Sequence, residues 1–176
     1  RYKSGSTDEG IAKINEAIRK NPKFLPAYLN LASIYTAQDK NDEALKAWEN
    51  VLKLDPGNVG ASVNLTGLYY EAGQFDKALA SYQAIVKANP KSAEANFGVA
   101  ASLAKQGRTD EAISAYWRVL DLNPKMATAY NNLGVELEKK NRIDKAKQLY
   151  RKALQIDPKN EEAKRNLARF GEKDGA

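Results

Sequence analysis

The chain has 176 residues, 43% of them hydrophobic, and carries a net charge of +6 from 28 basic and 22 acidic side chains. That is enough apolar content to bury a core, and too small a basic excess for a dedicated nucleic-acid binder. Cysteine and histidine are absent, which removes thiol nucleophiles, imidazole bases, thiolate zinc sites and every Ser-His-Asp or Cys-His arrangement, and leaves the chain compatible with a reducing or an oxidising compartment.

Five of the six prolines, Pro22, Pro56, Pro90, Pro124 and Pro158, stand 34 residues apart, and each follows an Asn or Asp, a pair that starts a turn and disfavours helix just before the proline. On this lattice residues 1–24 supply only the second helix of a preceding unit. That helix is expected over 8–20, with Ile11, Ile14 and Ile18 partly inward. Residue 1 is not methionine, which predicts a trimmed or processed piece, and no run of about 18 apolar residues predicts a transmembrane segment. Four complete helix-turn-helix units follow at 25–58, 59–92, 93–126 and 127–160, and 161–176 supply a capping first helix and a tail.

In each unit the first helix carries a small residue at Ala27, Ala61, Ala95, Ala129 and Ala163, then an apolar one at Leu31, Leu65, Val99, Leu133 and Leu167. The turn carries Gly5, Asp39, Gly73, Gly107 and Asn141, residues that tolerate the left-handed backbone of a helix C-terminus. Asp8, Asp42, Asp76, Asp110 and Asp144 come three residues later and are expected to cap the second helix and complement its dipole. The second helix then pairs Ala44, Ala78, Ala112 and Ala146 with Trp48, Tyr82, Tyr116 and Tyr150 four residues on, on one face. Helices of some 13 residues are about 20 Å long, and no single pair can bury its apolar face. Stacking is therefore expected, giving an all-α solenoid of antiparallel helix pairs.

These residues resemble the tetratricopeptide repeat: Tyr28, Leu31, Ala32, Tyr35, Ala44, Trp48 and Pro56 in the first unit, and Tyr130, Leu133, Gly134, Ala146, Tyr150 and Pro158 in the fourth. Ser62 and Asn96 replace the first aromatic, Thr66 the small residue, and Leu103 and Leu137 the tyrosine, departures expected to loosen local packing. The resemblance implies a right-handed superhelix whose concave wall comes mainly from the first helices, and an activity of holding other proteins. It places Leu29, Asn30 and Ser33, then Val63, Asn64, Gly67 and Tyr70, then Phe97, Gly98, Ala101 and Lys105 on that wall. Asn131, Asn132, Val135, Glu138 and Lys139 continue it, followed by Arg165, Asn166 and Arg169.

Asparagine recurs at Asn30, Asn64, Asn132 and Asn166 although it is a mediocre helix former, so its amide is expected either to grip a peptide backbone or to bond neighbouring helices. Gly67, Gly98 and Ala101 beside Val63, Phe97 and Tyr70 are expected to form an uncrowded floor, which predicts that Gly98→Leu blocks binding and spares the fold; close helix packing is the alternative. The lysines with which some family members clamp a C-terminal carboxylate are replaced by Leu29, Val63 and Phe97. Within 127–160 eight basic residues face four acids, an outer surface that is solvated or, alternatively, drawn to anionic membrane or nucleic acid. Acid pairs such as Asp42 and Glu43 read as first-turn helix charges, and neither a phosphate loop nor a metal-ligand cluster occurs, so no catalysis, cofactor or metal is expected.

The sequence thus predicts a scaffold holding a peptide or helix of a partner protein, with a substrate-recruiting arm of a larger enzyme or assembly as the alternative. Specific nucleic-acid binding is not expected, since the RNA-binding pentatricopeptide repeats have a period of 35 and lack the proline lattice. The polar cap of Lys164, Arg165, Arg169 and Glu172 has no counterpart at the N-terminal end, which predicts self-association there.

Overall fold

In the computed structural model, which describes residues 4–171, all regular structure is helical and the prolines mark where helices stop. The residue before each is non-helical, with Asp55, Asn123 and Asp157 at φ of −135°, −138° and −130°. The reason for the Asx-Pro pair is visible in the turn: Oδ1 of Asn21, Asn123 and Asp157 accepts the backbone N–H two residues on, at 3.0–3.1 Å.

The chain forms two compact units, one up to Gln74 and one from Phe75. The first holds α1 (Ser4–Lys20), α2 (Leu25–Ala37), α3 (Asn41–Leu54) and α4 (Val59–Glu71), each packed on the next. The second holds α5 (Phe75–Ala88), α6 (Ala93–Lys105), α7 (Thr109–Leu122), α8 (Ala127–Lys139), α9 (Ile143–Ile156) and α10 (Glu161–Ala168). These too pack in sequence, and α8 additionally touches α6 and α10, so the first helices form a layer of their own.

Two devices repeat at the helix ends. Asp39, Gly73, Gly107 and Asn141 have φ of 55°, 70°, 73° and 57°, and the N–H of the residue after each donates five residues back, to Tyr35, Tyr69, Leu103 and Leu137 carbonyls. This is a Schellman closure, and after Asp39, Gly107 and Asn141 it turns the chain sharply enough for the next helix to pack back on the one before. Side-chain N-caps stand at Asn58, Ser92 and Asn160, whose oxygens accept the Ala61, Ala95 and Ala163 N–H groups.

Two expectations at helix ends are corrected. Gly5 lies inside α1, which begins at Ser4. Asp42, Asp76, Asp110 and Asp144 lie in the first turn of the second helices, where they complement the dipole, but α3, α7 and α9 have Lys40, Arg108 and Arg142 as N-caps without a side-chain bond, and Asp8 lies beyond the first turn of α1. Asp76 and Asp110 instead reach to the end of a later first helix, accepting Gln106 Nε2 at 2.9 Å and Lys140 Nζ at 3.1 Å.

The lattice alanines are buried throughout, Ala44, Ala61, Ala78, Ala112, Ala129, Ala146 and Ala163 completely. In the second unit Tyr116, Val119, Leu133, Leu137, Leu149 and Tyr150 fill the space between the helices. Trp48, Val51, Leu65 and Leu68 are buried in the first. Asn96 does not loosen the packing: it is buried, and its Nδ2 donates to the Pro90 carbonyl at 3.3 Å, as the Tyr28 hydroxyl does to Pro22 at 3.2 Å. Ile11, Ile14 and Ile18 of α1 are half-buried, and Glu172 lies outside the described residues.

Candidate functional site

In the first unit the α4 residues Gly60, Val63, Asn64, Gly67 and Glu71 recur at the i, i+3, i+4, i+7 spacing of a single helix face. Val63 is 55% exposed and Val59, one turn before it, 73%, so two large aliphatic side chains stand in solvent on a helix whose other face is buried. A Cβ built on Gly67 would meet nothing within 4 Å, so a gap opens one turn beyond the valine. Asn64 is exposed, and its Nδ2 donates to the Gly60 carbonyl at 2.8 Å, leaving the second amide hydrogen and Oδ1 toward solvent. Tyr70 is half-buried at the far end of the face. On α2 Asn30 is exposed, while Thr36 is engaged inward by Trp48 Nε1 at 3.1 Å.

The second unit uses the corresponding positions differently. Gly98 is buried, and a Cβ there would sit 2.3–2.4 Å from the ring of Tyr82. The open floor expected at Gly98 is thus corrected to close packing: glycine is required because the Tyr82 ring lies flat against the helix, and leucine would displace it. Ala101 is likewise buried. Phe97 is half-buried, its ring edge-on to Tyr116 at 5.8 Å and 65°. Lys105 is exposed.

The asparagines of α8 and α10 bond to one another. Asn166 Nδ2 donates to Asn131 Oδ1 at 2.8 Å, Asn131 Nδ2 to Asn132 Oδ1 at 3.2 Å, and Asn132 Nδ2 to the Tyr116 hydroxyl at 3.2 Å. Asn131 also donates to Glu162 Oε2 at 3.3 Å and is only 2% exposed. The sequence cannot separate these amides from Asn64, because what buries Asn131 is the neighbouring helix α10. Asn132 and Asn166 are half-buried.

The charged side chains here are matched in sign. Lys139 Nζ lies 2.6 Å from Glu136 Oε1, and Arg169 Nη2 lies 2.8 Å from Glu138 Oε2, which also accepts the Tyr150 hydroxyl at 2.8 Å. Burial, and next the Glu138 hydrogen bond, raise the Tyr150 phenol above its ordinary value; burial and then Glu49 do the same to Tyr69. Both therefore act as neutral hydrogen-bond donors. Arg165 is exposed. Glu136 itself, buried with Oε2 unpartnered, was not singled out by sequence, and nothing in its local pattern marks it. Among the described residues no group of three or more carboxylates could hold a metal ion.

Four family profiles, three described as tetratricopeptide repeat and one as TPR repeat, match residues 1–59, 36–101, 101–140 and 127–160. No curated protein matches the sequence. Among solved structures, the fold resembles YrrB, described as a TPR protein with an unusual peptide-binding site, at 25% identity and a TM-score of 0.81, over 94% of this chain and 85% of that one. It also resembles a MamA crystal structure at 22% identity and a TM-score of 0.74, over 90% and 92% of the two chains. MamA from Desulfovibrio magneticus matches at 20% identity and a TM-score of 0.75, over 89% of each. The MamA likenesses concern the fold alone.

Proposed function

The chain is a tetratricopeptide-repeat protein with the all-α fold of that solenoid class, and from this premise we propose that it holds a peptide segment of a partner protein on its first-helix faces. The repeat family and the YrrB likeness support a protein-interaction scaffold. The observation that carries the finer reading is the α4 face, where an exposed valine stands beside an unfilled gap at Gly67 and an exposed amide at Asn64. An apolar peptide side chain fits over Gly67 against Val63 and Tyr70, and Asn64 bonds the peptide backbone. In the second unit Phe97, Asn132, Lys105, Lys139 and Arg165 are the residues left to touch a partner, with Gly98, Asn131 and Asn166 serving the framework behind them.

Hydrogen bonds alone are insufficient. Each neutral one contributes about 0.5–1.5 kcal/mol net, against an association cost of roughly 4–15 kcal/mol. Apolar anchoring supplies the difference, and micromolar affinity, about −8 kcal/mol, is the expected scale. The test is selection of peptides from a random displayed library on the whole chain, followed by titration of the best binders against Gly67→Leu, Val63→Asp and Asn64→Ala. Gly67→Leu should weaken binding at least about tenfold without lowering stability, since the added side chain enters open space. Selected peptides that bind all three variants as they bind the unaltered chain would sink the proposal.

A further inference from the structure

The second helices of the second unit carry a feature that peptide holding does not use. Trp117 on α7 is 46% exposed and Leu122, five residues on, is 36% exposed, although this helix buries Ala112, Tyr116, Val119 and Leu120. Trp117 and Arg118 are one repeat period ahead of Arg151 and Lys152, so the four hold equivalent register on α7 and α9, both of which pack on α8. Arg118, Arg151 and Lys152 are exposed, as are Arg142 and Lys145 at the start of α9. Among the described residues no ion pair engages Arg118, Arg142, Lys145 or Lys152. The acids on this layer are few. Asp110 and Glu111 are taken by Lys140 and Arg108, leaving, among the described residues of α7 and α9, Asp121 and Asp144 against Arg118, Arg142, Lys145 and Lys152.

We propose that this outer layer docks on an anionic phospholipid bilayer, with the lysines and arginines on the headgroups and Trp117 seated among them. The charge sign is complementary, since anionic headgroups attract clustered lysine and arginine within about a Debye length of 8–10 Å. An indole with one apolar body and one N–H is suited to the headgroup boundary, where both find partners. A nucleic-acid strand is the poorer fit. Single strands are held in basic grooves by several stacked aromatics, whereas this is an open helix layer with one exposed aromatic. No helix among the described residues is long and apolar enough to cross a membrane, so the contact is peripheral.

The experiment uses the whole chain and flotation with phosphatidylcholine vesicles, with and without phosphatidylserine, over a salt series. Tryptophan emission is recorded alongside: the only other tryptophan, Trp48, is 6% exposed and bonded to Thr36, so a change on vesicle binding reports Trp117. Binding should require phosphatidylserine, fall steeply with salt and shift the emission to the blue. Trp117→Phe should abolish the shift. Lys145→Glu with Lys152→Glu, both at exposed positions, should reduce binding by on the order of tenfold or more, at roughly fivefold per basic residue. The proposal is overturned by absence of flotation at low salt, by equal binding to phosphatidylcholine alone, or by vesicle binding that leaves the emission or the charge-reversed variant unchanged. It is overturned equally by a short single-stranded oligonucleotide that binds more tightly than the vesicles at the same phosphate concentration.

Discussion

The same substitution at two first-helix glycines should move stability in opposite directions. Glycine inside a helix is about 0.5–1 kcal/mol less favourable than alanine, so Gly67→Ala, whose new Cβ meets open space, should stabilise by about that amount. In a chain of this size that corresponds to a rise of about 2–4 °C per kcal/mol in melting temperature. Gly98→Ala receives the same helix benefit but places a Cβ 2.3 Å from a Tyr82 ring carbon, where ordinary contact begins at 3.4 Å. The ring must move by about 1 Å, and overpacking of this kind costs about 1–3 kcal/mol, so the net effect should be a loss of roughly 1 kcal/mol. Gly134→Ala, with Tyr150 at 2.6 Å, should behave like Gly98→Ala. Because the helix term is common, the difference between Gly67→Ala and Gly98→Ala isolates the ring contact. Urea unfolding followed by circular dichroism, with Trp48 emission reporting the first unit and Trp117 the second, measures both. A Gly98→Ala midpoint at or above that of the unaltered chain, at unchanged slope, would refute the reasoning.

Two further outcomes follow from the polar side chains. Asn131→Ala removes the acceptor of Asn166 and the donors to Asn132 and Glu162 at a buried site, and should cost about 1–3 kcal/mol, whereas Asn64→Ala at an exposed site should stay within about 0.5 kcal/mol; equal urea midpoints for the two would contradict the buried amide chain. The Tyr69 and Tyr150 phenols are raised in the folded chain above their ordinary 10.0, so the native state binds these protons more tightly. Their contribution is fully present below about pH 10 and is lost as pH rises beyond it, when the unfolded phenols ionise first. Urea midpoints across that range should fall less steeply for Tyr150→Phe, and parallel falls would contradict the assignment.

Helix order, proline stops and buried alanines could be read from spacing because each is set by chemistry within one 34-residue period. The left-handed residues were equally accessible, since Asp39, Gly73, Gly107 and Asn141 are the residue types that such a backbone tolerates. The N-caps Asn58, Ser92 and Asn160 stand on the same lattice, but the recurring aspartates are more conspicuous, and in α3, α7 and α9 they serve the dipole from the first turn and not the cap. The wall residues were harder for a physical reason. Gly67 and Gly98 are the same residue on equivalent helices, and only the presence of Tyr82 across from one of them separates a gap from a packed contact. Asn64 and Asn131 differ likewise by what lies opposite, and that is decided by residues more than one helix away.

The line of amides from Asn166 through Asn131 and Asn132 to Tyr116 crosses three helices, and each link depends on the one before it to orient the next. Its consequence lies in how the second unit opens. Fraying of α10 withdraws the hydrogen that holds the Asn131 carbonyl, which frees the Asn131 amide to rotate away from Asn132 and so loosens the grip on a tyrosine three helices upstream. A linear array whose neighbours met only through apolar faces would melt from its ends one layer at a time. Here the outermost turn, the interior asparagines and the Tyr116 hydroxyl share one fate, so slow amide exchange should extend from α7 to α10 as a single block, with no graded loss of protection toward the chain end.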